Sequence, residues 1–469
     1  MALSANSVFE IRTAGNDTNG GGFVTGAAGT DYSQQDAKNT AGADISTTDA
    51  VADGSTTITS ATANFGTTMP GNIFYMAGGT GTLAADWYQC TARASTSSIT
   101  VDRTVAAGTG ITMNIGGALA SPGAAGAIGV AGSTYYIKAG THVMTSATPN
   151  IAAGCFKPTC GDNGIFVRVE GYQTTRGDMG TAPVLQLNTG VSTAKIIDLS
   201  VGTYVRLVNI EVDGHGETSS RGMDISGAVY GQIDTCLARN CTNSGIAIAS
   251  SGMIGVTRTR VTGCVTQPAW KIDSNVVLYA CQADANSVTG FGGSNMLAIR
   301  CLAYNNSGAS SDGFYISVRG IFINCTSYGN GRDGLRSGTG AASYWLNGLA
   351  EGNGGYGFGS DSAAGFNPVL VNCAGYNNTS GNVNTTAYPA SLLVGFLTLT
   401  GSPFTNAGAA DFSLNNTAGA GAAVRAVSYP ATFLDGLTAT YLDIGAAQHA
   451  DPVGGGGAPR SAGMSGGIF

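Results

Sequence analysis

Five cysteines, Cys236, Cys281, Cys301, Cys325 and Cys373, recur at one fixed place in a repeating phrase, and this recurrence constrains the fold more than any other feature. Ile-Asn-Cys-Thr-Ser-Tyr-Gly-Asn at 323–330 aligns with Val-Asn-Cys-Ala-Gly-Tyr-Asn-Asn at 371–378 and Ile-Arg-Cys-Leu-Ala-Tyr-Asn-Asn at 299–306. In register the phrases give a column Ile210, Cys236, Thr259, Cys281, Cys301, Cys325, Gly348, Cys373, with steps of 26, 23, 22, 20, 24, 23 and 25 residues. A second column, Gly222, Gly245, Ala269, Gly290, Gly313, Gly334 and Gly357, keeps the same period. A repeat of this length without helix formers between marks a solenoid.

Each repeat reads as short β segments broken by Gly, Asn and Asp, which tolerate the left-handed backbone of tight turns. Stacked coils then form parallel sheets rising about 4.8 Å per coil. Residues two before the cysteine column are mostly apolar (Val208, Tyr279, Ile299, Ile323, Leu346, Val371), and those two after are small or apolar (Val212, Ala238, Val261, Ala283, Ala303, Ser327, Ala350, Gly375). Period-two alternation predicts that all three columns face inward. The column three before, Leu207, Ile233, Val256, Leu278, Ala298, Phe322, Trp345 and Leu370, is apolar throughout. Either a bend turns it into the core as well, or it forms an outer apolar stripe that another chain buries.

Inward thiols at coil spacing act as compact core filler rather than disulfides or ligands. No pair has C-x-x-C spacing, and His stands only at 142, 215 and 449, so neither a metal nor a cofactor is expected. Cys155 and Cys160 read as loop residues. Reduced thiols imply synthesis in a reducing compartment. Charged residues make up only 10% of the chain, the net charge is −7 and the pI is near 4.9, which argues against nucleic acid and anionic membrane as partners. No apolar run reaches a membrane span, and Met1-Ala-Leu-Ser-Ala-Asn lacks the basic start and apolar core of a secretory signal. Synthesis in a host cytoplasm is the expectation.

Outside the repeats, several segments carry a family resemblance. Phe9-Glu-Ile-Arg-Thr-Ala-Gly-Asn-Asp-Thr-Asn-Gly-Gly-Gly resembles the opening strand and Gly-rich turn of right-handed parallel β-helix proteins of the pectate-lyase-like superfamily. Residues 118–131 resemble their N-terminal capping helix, Tyr135-Tyr-Ile-Lys-Ala-Gly-Thr-His142 their first core strand, and Ile165-Phe-Val-Arg-Val-Glu-Gly-Tyr172 with Arg176-Gly-Asp178 the next coil. Asp443-Ile-Gly-Ala-Ala-Gln448 is similar to a closing phrase of such proteins. The fold implied is all-β, a right-handed parallel β-helix with a small inserted β domain and a C-terminal cap. The expected organisation is an opening strand and turn (1–23), the insertion (24–116), the β-helix (117–400), the cap (401–451) and a flexible Gly-rich tail (452–469) ending in Ile468-Phe469. Within the insertion, Asn72–Met76, Trp87–Thr91 and Ser98–Asp102 alternate as antiparallel strands would.

Three patterns could carry chemistry. Asp312 and Asp333 precede Gly313 and Gly334 on consecutive coils, so stacking brings their backbones to about 4.8 Å, near the separation wanted by a retaining glycosidase pair. Asp-Gly is equally a turn pair that Arg332 and Arg336 would neutralise. Three residues after the cysteine column stand Tyr304, Tyr328, Glu351 and Tyr376, an outward aromatic column able to stack on sugar rings or to serve as plain β surface. Asp213-Gly-His215-Gly-Glu217 contains the Gly-His-Gly of polygalacturonases without the rest of their pattern, and reads as a polar turn.

The favoured function is a structural or receptor- and polysaccharide-binding protein on a tailed-phage virion, since tailspikes and head decorations resemble this architecture. Its partners would be other virion proteins, reached through the Gly-rich tail, and host surface polysaccharide, with a homotrimer compatible. A polysaccharide depolymerase, hydrolase or lyase, is the alternative, and a bacterial surface adhesin the third.

Overall fold

The computed structural model describes residues 3–81, 83–145, 156–159, 165–192, 195–200, 204–249, 252–273, 275–361, 369–386, 392–425 and 443–447. Cys155, Cys160 and the tail 452–469 lie outside the described residues. The chain divides into two compact units, residues 1–217 and 218–469.

In the first unit the opening strand Ser7–Ile11 pairs parallel with Thr134–Lys138, which pairs with Val167–Tyr172 and so reaches Tyr204–Val208. Glu10, fully buried, holds this arrangement in register: Arg12 Nε and Arg176 Nε each donate to it at 2.8 Å, and Tyr172 Oη donates as well. A buried carboxylate persists only when paired in this way. A helix runs over Pro122–Ile128, started by Pro at its first turn and by Ser121 Oγ accepting from Ala124 N. Between these elements, strands Asn72–Gly78, Leu83–Ser95, Ser98–Val101 and Gly108–Ile115 pair antiparallel around a separate core that includes Phe65, Phe74, Ile99 and Met113.

The second unit is a stack of eight coils, each giving one short strand to each of three parallel sheets. Sheet I runs from Tyr230–Asp234 through Met253–Thr257, Val276–Tyr279, Met296–Ile299, Arg319–Ile323, Ala342–Leu346 and Val369–Val371 to Leu393–Val394. Sheet II starts at Leu237–Arg239 and ends at Leu397–Thr398. Sheet III starts at Arg221–Asp224 and ends at Gly381–Val383. The protein is a parallel β-helix, nearly all β.

Left-handed residues make the corner between sheets I and II. Thr235, Arg258, Ala280, Arg300, Asn324, Asn347 and Asn372, each directly before the cysteine column, have φ between 48° and 55°. Such a residue resets the alternation, and this corrects one expectation. The cysteine column and the column three before it both face inward: Cys301, Cys325, Cys373, Leu278, Ala298, Trp345 and Leu370 are fully buried. The column two before it faces out instead, with Tyr279 Oη accepting from Arg300 Nη1 at 3.4 Å.

The corner between sheets II and III carries a ladder of buried asparagines. Asn286 donates to Asn306 at 2.8 Å, Asn306 to Asn330 at 2.7 Å, Asn330 to Asn353 at 2.9 Å, and Asn353 to Asn378 at 2.8 Å. Each amide thus satisfies the next, which removes the penalty of burying it. The glycine column lies against this ladder, and its members need no positive φ. A Cβ on Gly313 would stand 2.6 Å from the Gly334 carbonyl, and one on Gly334 would stand 2.7 Å from the Gly357 carbonyl. Close approach, not turn geometry, selects glycine there. Aromatic rings stack along the interior, Trp270 on Phe291 at 5.5 Å and Phe291 on Phe314 at 4.8 Å, each pair contributing about 0.5–1.5 kcal/mol beyond its buried area.

The outer faces of two sheets differ. In sheet II the outward residues Leu302, Tyr304, Leu349 and Ala374 are buried under the chain's own C-terminal segment, through Phe404, Phe412, Leu414, Val424 and Ile444. In sheet I the outward columns Val277, Leu297, Ile321, Tyr344, Val369 and Tyr279, Ile299, Ile323, Leu346, Val371, Val394 run over the last six coils without a charged residue. Ile321, Tyr344 and Val394 are 44%, 50% and 54% exposed.

Candidate active site

The residue before the glycine column sets the backbone of each rung. Thr289, Asp312, Asp333 and Tyr356 hold this place on successive coils, and the side-chain oxygens of the first three each accept the amide of the next rung. Asp312 N donates to Thr289 Oγ1 at 3.3 Å, Asp333 N to Asp312 Oδ1 at 3.2 Å, and Tyr356 N to Asp333 Oδ1 at 2.7 Å. One oxygen of each aspartate is therefore committed to the coil.

Their remaining oxygens have different surroundings. Asp312 is fully buried and held in a bidentate pair by Arg332, Nε at 2.7 Å and Nη2 at 2.5 Å. Burial pushes its carboxyl above the usual range while the Arg332 guanidinium pulls it back. Asp333 has no such clamp. Its Oδ2 lies 3.9 Å from Arg336 Nε, and Gly355 and Gly359 give it room, since a Cβ on either would approach its oxygens within 2.2 Å or 2.1 Å. Burial, with the charge of Asp312 adding to it, raises the Asp333 carboxyl to about 6.

Arg336 Nη2 also contacts Asp361 Oδ1, so one guanidinium stands between two carboxylates. Burial raises Asp361 as well. Around these groups opens a depression of about 430 Å³, lined by Arg332, Asp333, Arg336, Tyr356, Asp361 and Asn384 among others. A carboxyl that titrates near neutrality, beside a second carboxylate and fixed cations, can donate or accept a proton and orient hydroxyls. Asp312, buried behind Arg332, acts on this groove indirectly, by holding that arginine, accepting the Asp333 amide and adding its charge to the field at Asp333.

Asp361 and Tyr356 were not singled out by the sequence, although both were within its reach. Tyr356 stands in the same rung position as Asp333, and Asp361 follows Arg336 by 25 residues, one coil. Asp361 falls between the cysteine and glycine columns, so neither column marked it.

The aromatic column lies elsewhere, on the outer face of sheet II. Tyr304 packs on Phe412 with centroids 5.0 Å apart, Tyr328 on Phe412 at 5.6 Å and on Phe404 at 6.2 Å, and Glu351 Oε2 accepts from Ser402 Oγ at 3.0 Å. Tyr376 packs against the same cluster. The C-terminal segment thus occupies the face that an open sugar-stacking platform would need. It lies along the side of the coils: Gly445 N donates to Asn347 O at 2.9 Å and Asn324 Nδ2 to Asp443 O at 2.6 Å.

At the Gly-His-Gly tripeptide, His215 is left-handed (φ 52°), its amide donates to Asp213 Oδ1 at 2.9 Å, and Glu217 N donates to Gly214 O at 2.9 Å. This is a polar turn. Cys90, Cys236, Cys241, Cys264, Cys281, Cys301, Cys325 and Cys373 are free and buried, and burial raises Cys373 to about 12. Among the described residues no cluster of three or more His, Cys, Asp or Glu side chains is placed to hold a metal ion, and no helix is long and apolar enough to cross a membrane.

No protein-family model matches the chain, and no curated protein sequence does. Among solved structures, the A-module of mannuronan C-5 epimerase AlgE4 from Azotobacter vinelandii is similar at 15% identity, over 61% of this chain and 77% of that one, with a TM-score of 0.39. ORF18 of Geobacillus virus E2 is 14% identical over 54% of this chain and 52% of its own, with a TM-score of 0.36. The tailspike protein gp49 of Pseudomonas phage LKA1 is 10% identical over 73% and 63%, with a TM-score of 0.19. The chain spans about half the length of the viral ORF18. By its own strand register, the chain is a parallel β-helix protein.

Proposed function

We propose that the protein binds a polysaccharide chain on the surface of a tailed-phage virion, with the groove around Asp333, Arg336, Tyr356 and Asp361 as its sugar site. The observation that carries this reading is the open polar groove itself, where fixed carboxylates and guanidiniums offer acceptors and donors to sugar hydroxyls beside one tyrosine ring. Virion placement is supported by the buried, free thiols, which suit folding in a reducing cytoplasm followed by release within a particle. Glycan-array binding tests the site: retention of a host surface polysaccharide is expected, and its weakening by Arg336→Ala. Binding unaffected by Arg336→Ala removes the groove from the reading. Mass spectrometry of purified particles tests the placement, and absence of the chain from them would remove it.

A second reading, cleavage of that polysaccharide, is favoured by the raised Asp333 carboxyl. Asp333 would protonate the leaving glycosidic oxygen as its bond to the anomeric carbon breaks, Asp361 would stabilise the positive charge developing on that carbon, and water would add its hydroxyl there and return a proton to Asp333. Shortened chains in size-exclusion profiles, lost with Asp333→Asn, are the expected sign. Intact polysaccharide after prolonged incubation leaves binding alone.

A further inference from the structure

Resting on the reading of the groove as a glycan site, we infer that its ligand is an uncharged polysaccharide, one that presents hydroxyls there and neither carboxylates nor ammonium groups. Charge is the first observation. Arg332, Asp333, Arg336 and Asp361 line the groove, and Asp312 stands behind Arg332. Three carboxylates therefore meet two guanidiniums, an excess of one negative charge once the Asp333 carboxyl ionises above about pH 6. Both guanidiniums are already paired: Arg332 turns Nε and Nη2 to Asp312 at 2.7 Å and 2.5 Å, and Arg336 Nη2 contacts Asp361 Oδ1.

A uronate or sialate entering here meets like charge with no unpaired cation to offset it, and such a juxtaposition costs binding. On the outer column of sheet III, the register runs Lys271, Gly292, Tyr315, Arg336, so the next cation on that column stands three rungs away, about 14 Å. That exceeds the screening length at physiological salt, about 8 Å. An ammonium fares no better. It would have to displace Arg336 from Asp361, or crowd it beside Asp333.

Hydrogen-bonding capacity is the second observation. Asp333 Oδ2 lies 3.9 Å from Arg336 Nε, too far for a hydrogen bond, and that Nε is a buried donor without a partner among the described residues. An acceptor and a donor thus face each other unmet. One hydroxyl serves both, donating to Asp333 Oδ2 and accepting from Arg336 Nε, whereas a carboxylate only accepts and an ammonium only donates. Tyr356, Ser360, Ser380 and Asn384 complete the lining with uncharged polar groups.

A glycan array read at about pH 7.5, where Asp333 is ionised, tests this with the wild type and Arg336→Ala. Neutral chains are expected to be retained, at least about tenfold more weakly by Arg336→Ala, and equally well between about 50 and 500 mM salt. Retention of acidic or amino-bearing chains, lost with Arg336→Ala, keeps the groove as a glycan site and overturns the inference about its ligand. No retention, or retention indifferent to Arg336→Ala, removes the groove reading and this inference with it. Asp361→Asn frees Arg336 and removes the excess charge, so acidic chains should be retained at least about tenfold better than by the wild type. No such gain would mean that charge does not select the ligand. Should Arg336→Ala unfold the protein, the salt series on the wild type decides: retention that falls more than about tenfold across it marks a charged ligand and overturns the inference.

Discussion

Sheets I and II of the second unit are built from the same coils, yet one outer face is roofed by the chain and the other, among the described residues, is bare. Tyr304 and Tyr328 lie under Phe404 and Phe412, while Tyr344 stands half exposed on the neighbouring sheet. The interior of a β-helix is dictated by the repeat, because every coil must fill the same slot. The exterior is dictated by whatever covers it, and the cover of sheet II sits far away in sequence.

Removing the roof should produce the largest effect. Phe412→Ala is expected to cost about 3 kcal/mol in urea unfolding, from lost burial plus the cavity over Tyr304 and Tyr328. Tyr344→Ala, at a half-exposed site, should change stability by no more than about 0.5 kcal/mol. Equal losses at the two sites would erase the distinction between the faces.

An interior change should fall between these values. Cys301 is fully buried and its thiol donates to Ile299 O at 3.5 Å, so Cys301→Ser is expected to cost about 1–2 kcal/mol by burying a more polar hydroxyl. Native-state thiol labelling should likewise find Cys281, Cys301 and Cys373 unreactive at neutral pH, since burial pushes each well above its ordinary range. Rapid labelling without unfolding would place the column on the wrong side of the sheet.

A further effect lies at the groove and is read against pH. The folded Asp333 carboxyl binds its proton more tightly than the unfolded one, so its contribution is full below the ordinary value of 3.8 and is lost as pH rises through about 6. Asp333→Asn should flatten the stability profile between those limits and leave the wild-type and variant curves parallel above them. A profile of unchanged slope would mean that Asp333 is not perturbed in the folded state.

Much of the fold was legible because a solenoid repeats its instructions. The cysteine and glycine columns located every coil from 222 to 373, since identical slots admit identical residues. The direction of the column two before the cysteine was misread, because strict alternation ignores the left-handed residue at Asn324, Asn347 and their equivalents. At the candidate site, Asp312 and Asp333 were legible as equivalents on consecutive rungs. Their inequality was not, for it comes from Arg332 clamping one carboxylate and Gly359 making space for the other.

The sequence by itself determined the coil, its period and the identity of the interior columns, because those depend on residues meeting their own equivalents one turn away. The tertiary structure alone decided which aspartate faces the groove and which tyrosines are roofed. The aspartates differ because unlike side chains meet across neighbouring coils, and the roof forms because residues about a hundred positions apart come into contact; a repeating pattern records neither.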